Sequence, residues 1–288
     1  MTHEERLAAV GFHSGELAVQ RRAGVGARAA RLAPMASRGR LGDGTAAFLA
    51  SARLVALTAR DPEGRLWISP LQGEPGFLRA ATPTRLHIDV ELPDMDPLAG
   101  APTDQPVGVL VIDLAARRRY RINGQLMQRD SAGLAIDVDQ AYGNCPKYID
   151  PSAQATADPR RPDRTRVYTG TALRPEDREL IERSTAFFLG TTHPTSGNDA
   201  SHRGGPAGFV RADAGRLWWP DYPGNNMFNS FGNLTVDPSA ALLFVDAGTT
   251  LQLSGRAEVV WDAEQSDANL RTGRRVIFAA QRVIATRR

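Results

Sequence analysis

An internal repeat constrains the fold of this chain more than any other feature of the sequence. Residues 69–79 reappear without a gap as residues 201–211, an offset of 132, and residues 109–113 correspond to 242–246. The identical positions of the first pair include Ser69 and Ser201, Gly76 and Gly208, Phe77 and Phe209, and Arg79 and Arg211. Such a period is too long for a solenoid, so it predicts two similar units packed together.

Both units read as short strands joined by turns, with a few helices. Predicted strands cover residues 54–59, 65–69, 85–90, 107–113, 118–126 and 134–139, then 186–192, 208–212, 216–219, 241–246, 250–260 and 275–286. Predicted helices cover residues 16–35, residues 44–53 behind Asp43 as N-cap, a segment beginning at Pro175, and a short stretch at 227–234. Strands at this spacing favour an antiparallel barrel or sandwich over a doubly wound sheet.

The predicted boundaries follow from composition. Residues 1–150 hold the N-terminal helices and the first unit, and residues 171–288 form the second unit. The segment between them, 151–170, is polar and interrupted by prolines, so we predict a linker there.

Composition is that of a soluble globular protein, with 42% apolar and 23% charged residues. No apolar run approaches the roughly 20 residues of a membrane span, and the mixed-charge N-terminus has no apolar signal region, so we expect a cytoplasmic protein. One cysteine and five histidines without ligand spacing predict no metal site.

Arginine dominates the basic residues, and Lys147 is the only lysine among 35. The arginine excess is typical of a GC-rich genome. The runs at 117–119 and 160–161 are short and separated by acids, so we interpret them as solvated surface and expect no nucleic-acid partner.

Two glycine-containing segments carry the candidate chemistry. Gly224, Asn225 and Asn226 stand at the start of a predicted helix, where exposed N–H groups favour an anion. Arg203 lies in a predicted turn at 201–205 and offers a bidentate donor to a phosphate. The alternative, in which these Asn and Gly residues only turn and cap the chain, stays open.

At these residues the sequence resembles the pyridoxamine 5′-phosphate oxidase-like superfamily of FMN-binding split β-barrels. The flavin loop at 219–226 is followed by the step at 236–238, a strand at 241–244 and a second strand at 251–257. The tandem-repeat branch of the superfamily is further indicated by segments 12–16, 20–24 and 140–149.

The resemblance implies a mainly β protein with peripheral α-helices. Two tandem FMN-binding split β-barrel (Greek-key) units would form an intrachain pseudo-dimer and hold FMN at their junction. The implied FMN contacts are Ser201, His202, Arg203 and Gly204 at the isoalloxazine ring and ribityl chain, Pro220, Asp221 and Tyr222 at the ring edge, Gly224, Asn225 and Asn226 at the ribityl chain and phosphate, and Lys147 as a cation from the first unit.

Two departures narrow the function. The vitamin-processing oxidases place Ser, Arg and Lys where this chain has Gly224, Asn225 and Asn226, and they end with an Arg-x-His motif that this chain lacks. We therefore expect an FMN-dependent oxidoreductase acting on a small molecule other than pyridoxamine phosphate. Its electrons would come from a separate reductase, a nicotinamide donor or a substrate. A homodimer, and a reductase with an exchangeable flavin or deazaflavin, stay open.

Further expectations concern single residues. The acidic loop at 94–100 repels a phosphate, which predicts one flavin site per chain. His13 and Glu16 are candidates for a catalytic acid–base pair over the flavin, or for a simple helix cap. Cys145 is expected to be a packing residue. His202 keeps open a haem-binding or haem-degrading protein, and a non-catalytic flavin-binding protein is the remaining alternative.

Overall fold

The computed structural model describes residues 11–36, 39–151, 165–246, 248–261 and 272–287. Its helices are α1 (Ser14–Arg22), α2 (Gly26–Ala30), a 3-10 turn (Ala33–Ala36), α3 (Asp43–Ser51), α4 (Pro175–Arg183) and α5 (Asn229–Val236). The first-unit strands are β1 (Leu54–Arg60), β2 (Leu66–Gln72), β3 (Leu78–Thr82), β4 (Arg85–Ile88), β5 (Gln105–Asp113), β6 (Arg118–Asp130) and β7 (Gly133–Asn144). The remaining strands are β8 (Thr165–Gly170), β9 (Ala186–His193), β10 (Gly197–Gly204), β11 (Arg211–Ala212), β12 (Arg216–Pro220), β13 (Ser239–Asp246), β14 (Thr249–Trp261) and β15 (Arg274–Arg287).

The strands form two antiparallel sheets with the same topology. The first sheet has the order β2-β1-β5-β6-β7-β4-β3, and the second has the order β10-β9-β13-β14-β15-β12-β11. Each strand of the first unit thus has one counterpart in the second. The prediction of a mainly β protein built from two tandem split-barrel units is confirmed.

Strand β8 is the one departure from this correspondence in the described sheets, and it pairs with β15. It occupies residues 165–170, which the sequence assigned to the linker. The ladder with β15 uses its backbone N–H and C=O groups, so these residues belong to the second sheet. Residues 152–164 of the predicted linker lie outside the described residues.

The sequence repeat has a local packing cause. A Cβ atom at Gly73 would lie 2.5 Å from the ring of Phe77, and one at Gly205 would lie 2.7 Å from the ring of Phe209. In both copies the glycine four residues before the phenylalanine therefore leaves room for the aromatic ring. The two copies of the repeat therefore form the same turn for the same steric reason.

Each unit has its own apolar core, and a third apolar cluster joins them. This junction packs Leu66, Ile68 and Leu110 of the first unit against Phe188 and Leu243 of the second. Two glycines allow the units to approach closely. A Cβ atom on Gly190 would lie 2.8 Å from the Thr58 side chain, and a Cβ atom on Gly108 would lie 2.6 Å from the Asp199 backbone. The sheets are thus in direct contact.

The N-terminal helices differ from their predicted bounds. The predicted helix at 16–35 is broken into α1, α2 and a 3-10 turn, because Gly24 adopts a φ of 68° that ends α1. Gly42, rather than the predicted Asp43, is the N-cap of α3. No helix in the described part of the chain is long and apolar enough to cross a membrane.

Helix α1 crosses α5 at a contact between two glycines. A Cβ atom at Gly232 would lie 2.5 to 2.7 Å from Glu16, including its backbone, and one at Gly15 would lie 2.3 Å from the Gly232 carbonyl oxygen. Side chains at either position would push the helices apart. The N-terminal segment is therefore closely fitted to the second unit.

We expect Gly232→Ala to lower the free energy of unfolding by about 1–3 kcal/mol, because the methyl group overlaps α1. The matched control is Gly44→Ala in α3, where a Cβ atom meets nothing within 4 Å. That change should leave stability unchanged or raise it by up to about 1 kcal/mol. Urea denaturation of both variants measures the difference, and equal effects would show that the α1–α5 contact is not tight.

Candidate functional site

A cavity of about 250 Å³ lies between the two units, and both contribute to its wall. The first unit supplies side chains of β6 and of the segment at 144–148, and the second supplies the end of β10, residues 219–231 and Arg274. The structure brings together all eleven residues predicted to bind the cofactor: Lys147, Ser201, His202, Arg203, Gly204, Pro220, Asp221, Tyr222, Gly224, Asn225 and Asn226.

Two of the predicted local structures are wrong. Residues 201–204 are not a turn but the last part of β10, where Ser201 pairs with Leu189 and Gly204 with Ala186 of β9. Successive side chains of a strand point to opposite faces, so Ser201 and Arg203 share one face of β10 and His202 lies on the other. A Cβ atom at Gly204 would lie 2.1 Å from the Tyr148 carbonyl oxygen, so this glycine lets the first unit cross the strand closely.

The loop at 224–226 also differs from its prediction as a helix start. Helix α5 begins at Asn229, and its N-cap Phe228 is left-handed with a φ of 61° and has no side-chain cap. The side chain of Asn225 accepts a hydrogen bond from the Met227 N–H at 3.1 Å. Asn225 thus stabilises its own loop and has one acceptor already in use.

At the cavity mouth the first unit contacts the second through aromatic and carbonyl groups. The Tyr148 hydroxyl donates to the Pro223 carbonyl at 3.0 Å, and the Tyr148 ring stacks on Tyr222 with centroids 5.5 Å apart. Lys147 Nζ lies 3.4 Å from the same carbonyl and 4.9 Å from the Tyr148 ring centroid. The single lysine of the chain therefore lies at the mouth, bridging the two units.

Arg119 was missed by the sequence reading, which assigned residues 117–119 to solvated surface. It lines the cavity, where its guanidinium donates to the Cys145 carbonyl at 2.9 Å and to the His202 carbonyl at 3.2 Å. Burial, together with the positive charges of Arg121 and Arg203, lowers its pKa to about 10. The available signal was the spacing of Arg119 and Arg121, since alternate residues of a strand share a face.

Arg121 lies deeper and forms a buried ion pair across the unit junction. Its Nε is 2.9 Å from Oδ1 of Asp199 and donates a hydrogen bond to the Ala200 carbonyl at 3.1 Å. Its Nη1 donates to the Tyr142 hydroxyl at 3.0 Å and to Oδ1 of Asn229 at 2.8 Å. Arg121 therefore fixes the inner end of the cavity.

The charged residues of the cavity wall are mostly cations: Arg119, Arg121, Lys147, Arg203 and Arg274 against Asp221. Asp221 is neutralised by Arg274 at 2.8 Å, and Arg121 is paired with Asp199. No carboxylate forms an ion pair with Arg119, Lys147 or Arg203 in the part of the chain that the structure describes. The cavity wall carries excess positive charge and favours an anion.

Three buried nitrogens of lining residues have no hydrogen-bond partner among the described residues: Asn144 Nδ2, His202 Nε2 and Arg203 Nε. A guanidinium only donates, so the contact at 3.3 Å between Arg119 Nη1 and His202 Nδ1 makes Nδ1 the acceptor. Burial, with Arg119 and Arg203 adding to it, lowers the pKa of His202 to about 3. His202 is therefore neutral with its proton on Nε2, and all three nitrogens are donors.

His13 and Glu16 are not among the residues that line the cavity. They form a capping box at the start of α1: the His13 ring accepts from the Gly15 N–H, and the Glu16 carboxylate accepts from the His13 N–H at 2.8 Å. The His13 ring also contacts the His193 ring, with centroids 4.1 Å apart and the ring planes tilted by 34°. His13 and Glu16 thus form a helix cap. The structure does not bring them together with the residues predicted to bind the cofactor.

Cys145 is exposed and lines the cavity, so its expected role as a packing residue is wrong. It follows β7 in the segment that crosses Gly204, where the backbone rather than the side chain makes the close contact. Within the described residues no group of three or more His, Cys, Asp or Glu side chains is arranged to hold a metal ion.

Comparison with known proteins identifies the second unit. Residues 173–288 match the family model described as pyridoxamine 5′-phosphate oxidase. No curated protein matches the chain.

Among solved structures, HupZ of Group A Streptococcus is 14% identical, with 39% of this chain and 98% of that chain covered and a TM-score of 0.32. The FAD-binding protein of Mycobacterium smegmatis is also 14% identical, with coverage of 41% and 100% and a TM-score of 0.28. HutZ, the heme storage protein of Vibrio cholerae, is 10% identical, with coverage of 37% and 88% and a TM-score of 0.28. Similarity this low says nothing about a ligand.

The family match covers the unit that supplies β10, the loop at 219–228 and the start of α5 to the cavity wall. It agrees with the resemblance seen in the sequence motifs. Over residues 173–288, this chain is similar to the pyridoxamine 5′-phosphate oxidase family.

Proposed function

We propose that the protein is an FMN-dependent oxidoreductase that acts on a small molecule other than pyridoxamine phosphate. The observation that carries the proposal is the excess positive charge of the cavity wall, in which Arg119, Lys147 and Arg203 have no carboxylate partner among the described residues. A phosphorylated ligand supplies the missing negative charge. The match of residues 173–288 to the pyridoxamine 5′-phosphate oxidase family supports FMN as the specific choice.

The donor set fits the flavin as well as its phosphate. The unpartnered N–H groups of Asn144 and His202 require acceptors, and an isoalloxazine ring and a ribityl chain both carry them. In this proposal Arg119 and Arg203 hold the phosphate, and Tyr148 and Tyr222 cover the ring. Bound FMN would supply hydride or electron transfer, while the protein orients the flavin and limits access of water.

The haem alternative is less well supported by the same residues. An axial histidine ligand needs an unprotonated ring nitrogen facing the iron. Nδ1 of His202 is occupied by Arg119, and Nε2 carries the proton. The arrangement is therefore that of a hydrogen-bond donor rather than an iron ligand.

The electron donor and the substrate belong to the same proposal. A separate reductase or a nicotinamide nucleotide would supply electrons at the mouth formed by Lys147, Tyr148 and Tyr222. The cation at this mouth favours an anionic small molecule as the reacting partner.

We expect the purified protein to bind FMN, and Arg203→Ala to weaken FMN binding about 10- to 100-fold, because a charge-assisted bond to the phosphate is lost. Riboflavin has no phosphate, so its affinity should change far less. Flavin fluorescence titration measures both. The control is Arg183→Ala, which removes an exposed arginine paired with Asp246 outside the cavity.

Equal losses for FMN and riboflavin in Arg203→Ala would contradict the assignment of Arg203 to the phosphate. A Soret band in the absorbance spectrum of the protein as purified would contradict the flavin proposal itself. A colourless protein that fails to take up added FMN would do the same.

The equivalent position at the other copy of the repeat carries hydrogen-bonded polar side chains and a carboxylate. Gln252, the counterpart of Arg121, donates to the Ser69 hydroxyl at 2.9 Å and to the Ile68 carbonyl at 3.2 Å. The Ser69 hydroxyl donates to Asp96 at 2.6 Å, which places a carboxylate there. A carboxylate repels a phosphate, so this copy favours no anionic ligand.

We therefore expect FMN binding to saturate at one molecule per chain. Titration of a known protein concentration, followed by quantification of released FMN after heating, measures the stoichiometry. Two equivalents per chain would show that the acidic copy also binds the flavin.

A further inference from the structure

The N-terminal helix α1 and its N-cap contact the wall of the cavity through hydrogen bonds of their side chains. The Gln20 side chain donates to the Met227 carbonyl at 3.0 Å, and His13 Nε2 lies 3.0 Å from Oδ1 of Asn233. Glu16 accepts a hydrogen bond from the side chain of Asn229. Three side chains of one segment thus hold α5 and the loop before it, and Asn229 itself lines the cavity.

The orientation of the Asn229 amide is fixed by its two partners. Arg121 can only donate, so the atom of Asn229 that faces its Nη1 at 2.8 Å is the oxygen. The amide nitrogen consequently faces Glu16, which has to accept. The other carboxylate oxygen of Glu16 accepts from the His13 N–H. Both oxygens accept and neither faces an acceptor among these partners, which is the arrangement that suits an ionised Glu16.

A proton on the Glu16 oxygen that faces Asn229 would reverse the direction of the hydrogen bond between these two side chains. The new O–H is a donor, so the Asn229 amide has to turn over to accept from it. Its NH₂ group would then face Arg121, donor against donor, and Arg121 would lose that acceptor. Nη1 of Arg121 would keep the Tyr142 hydroxyl and would gain a hydrogen available to an anionic oxygen in the cavity.

Among the titratable and charged groups that face one another here, Glu16 is the group that titrates near neutral pH. The groups that face it are His13 at the N-cap of α1, Arg121 on β6, Tyr142 on β7, Asp199 on β10 and, in ring contact with His13, His193 on β9. Burial raises the pKa of Glu16 to about 7, opposed by the hydrogen bonds from His13 and Asn229, with Asp199 raising it further and Arg121 lowering it. Burial lowers the pKa of His13 to about 4 and raises that of Tyr142 to about 12, so both are neutral at pH 7.

We propose that Glu16 is a positioning residue that couples binding of an anionic ligand in the cavity to the uptake of a proton. The proposal rests on the proposed function, in which the anion is the FMN phosphate. Protonation of Glu16 removes a negative charge behind the cavity wall and releases a donor of Arg121, and both changes favour the anion. By linkage, the bound anion raises the proton affinity of Glu16 by the same free energy.

The test is calorimetric titration of FMN at pH 7.0 in two buffers of different ionisation enthalpy, which counts the protons taken up. We expect the wild type to take up as much as about half a proton more per FMN than Glu16→Gln, because Glu16 is about half protonated at this pH. The FMN affinity of the wild type relative to Glu16→Gln should also rise about threefold to tenfold from pH 8 to pH 6. Glu179→Gln, an exposed change on α4, is the matched control and should behave as the wild type.

A merely structural role of Glu16 would change affinity without changing proton uptake. Equal uptake by the wild type and Glu16→Gln therefore overturns the coupling and leaves FMN binding intact. If Glu16→Gln does not fold, Asn229→Ala takes its place, and uptake equal to that of the wild type overturns the relay. Riboflavin, which has no phosphate, should show no difference between the variants, and a difference as large as that for FMN overturns the role of the anion.

Failure of the proposed function is distinguishable from failure of the coupling. If FMN does not bind at any pH, the proposed function falls, and inorganic pyrophosphate becomes the anion in the same titrations. The wild type then has to take up more protons with pyrophosphate than Glu16→Gln does. The absence of that difference, or of pyrophosphate binding, overturns the coupling as well.

Discussion

The buried ion pair between Arg121 and Asp199 is the interaction on which the cavity depends. It joins β6 of the first unit to β10 of the second, and Gly108 on the adjacent strand β5 lets the backbone at Asp199 approach the first unit closely. Two charges taken from water need close geometry and further hydrogen bonds, which Tyr142, Asn229, Ala200 and Ser230 provide. The pair thereby fixes the register of the two units and the position of the cavity's inner end.

Duplication explains the frame, and divergence at a few positions explains why the two copies differ. In the aligned repeat, Trp67 stands where the second unit has Asp199, an offset of 132, and Gln252 stands where the first unit has Arg121, an offset of 131. The charged pair of one site is therefore replaced by neutral groups at the other, where Trp67 donates to Asp61 instead. One junction becomes a cationic cavity and the other a hydrogen-bonded, acid-containing contact, although the strand order is the same.

Helix α1 adds a layer that neither barrel unit contains. It lies against α5 through Gly15 and Gly232, and Glu16 reaches the same Asn229 that holds Arg121. A chain of hydrogen bonds thus runs from the start of α1 to the charged inner end of the cavity. One carboxylate oxygen of Glu16 caps α1 by accepting from the His13 N–H. The other oxygen accepts from Asn229 in the cavity wall.

The sequence by itself determined the two-unit β architecture, because strand periodicity, turn glycines and the repeat are local signals. The residues that gather at the cavity were predicted from the family resemblance of the sequence motifs. The sequence did not determine that residues 201–204 are strand or that α5 begins only at Asn229, since pairing with β9 and the left-handed Phe228 depend on neighbours. Only the tertiary structure decided the role of Arg119 and Arg121. An arginine in a strand reads as surface until a second unit covers its face, and here burial between the two sheets made these side chains the charged wall of the site.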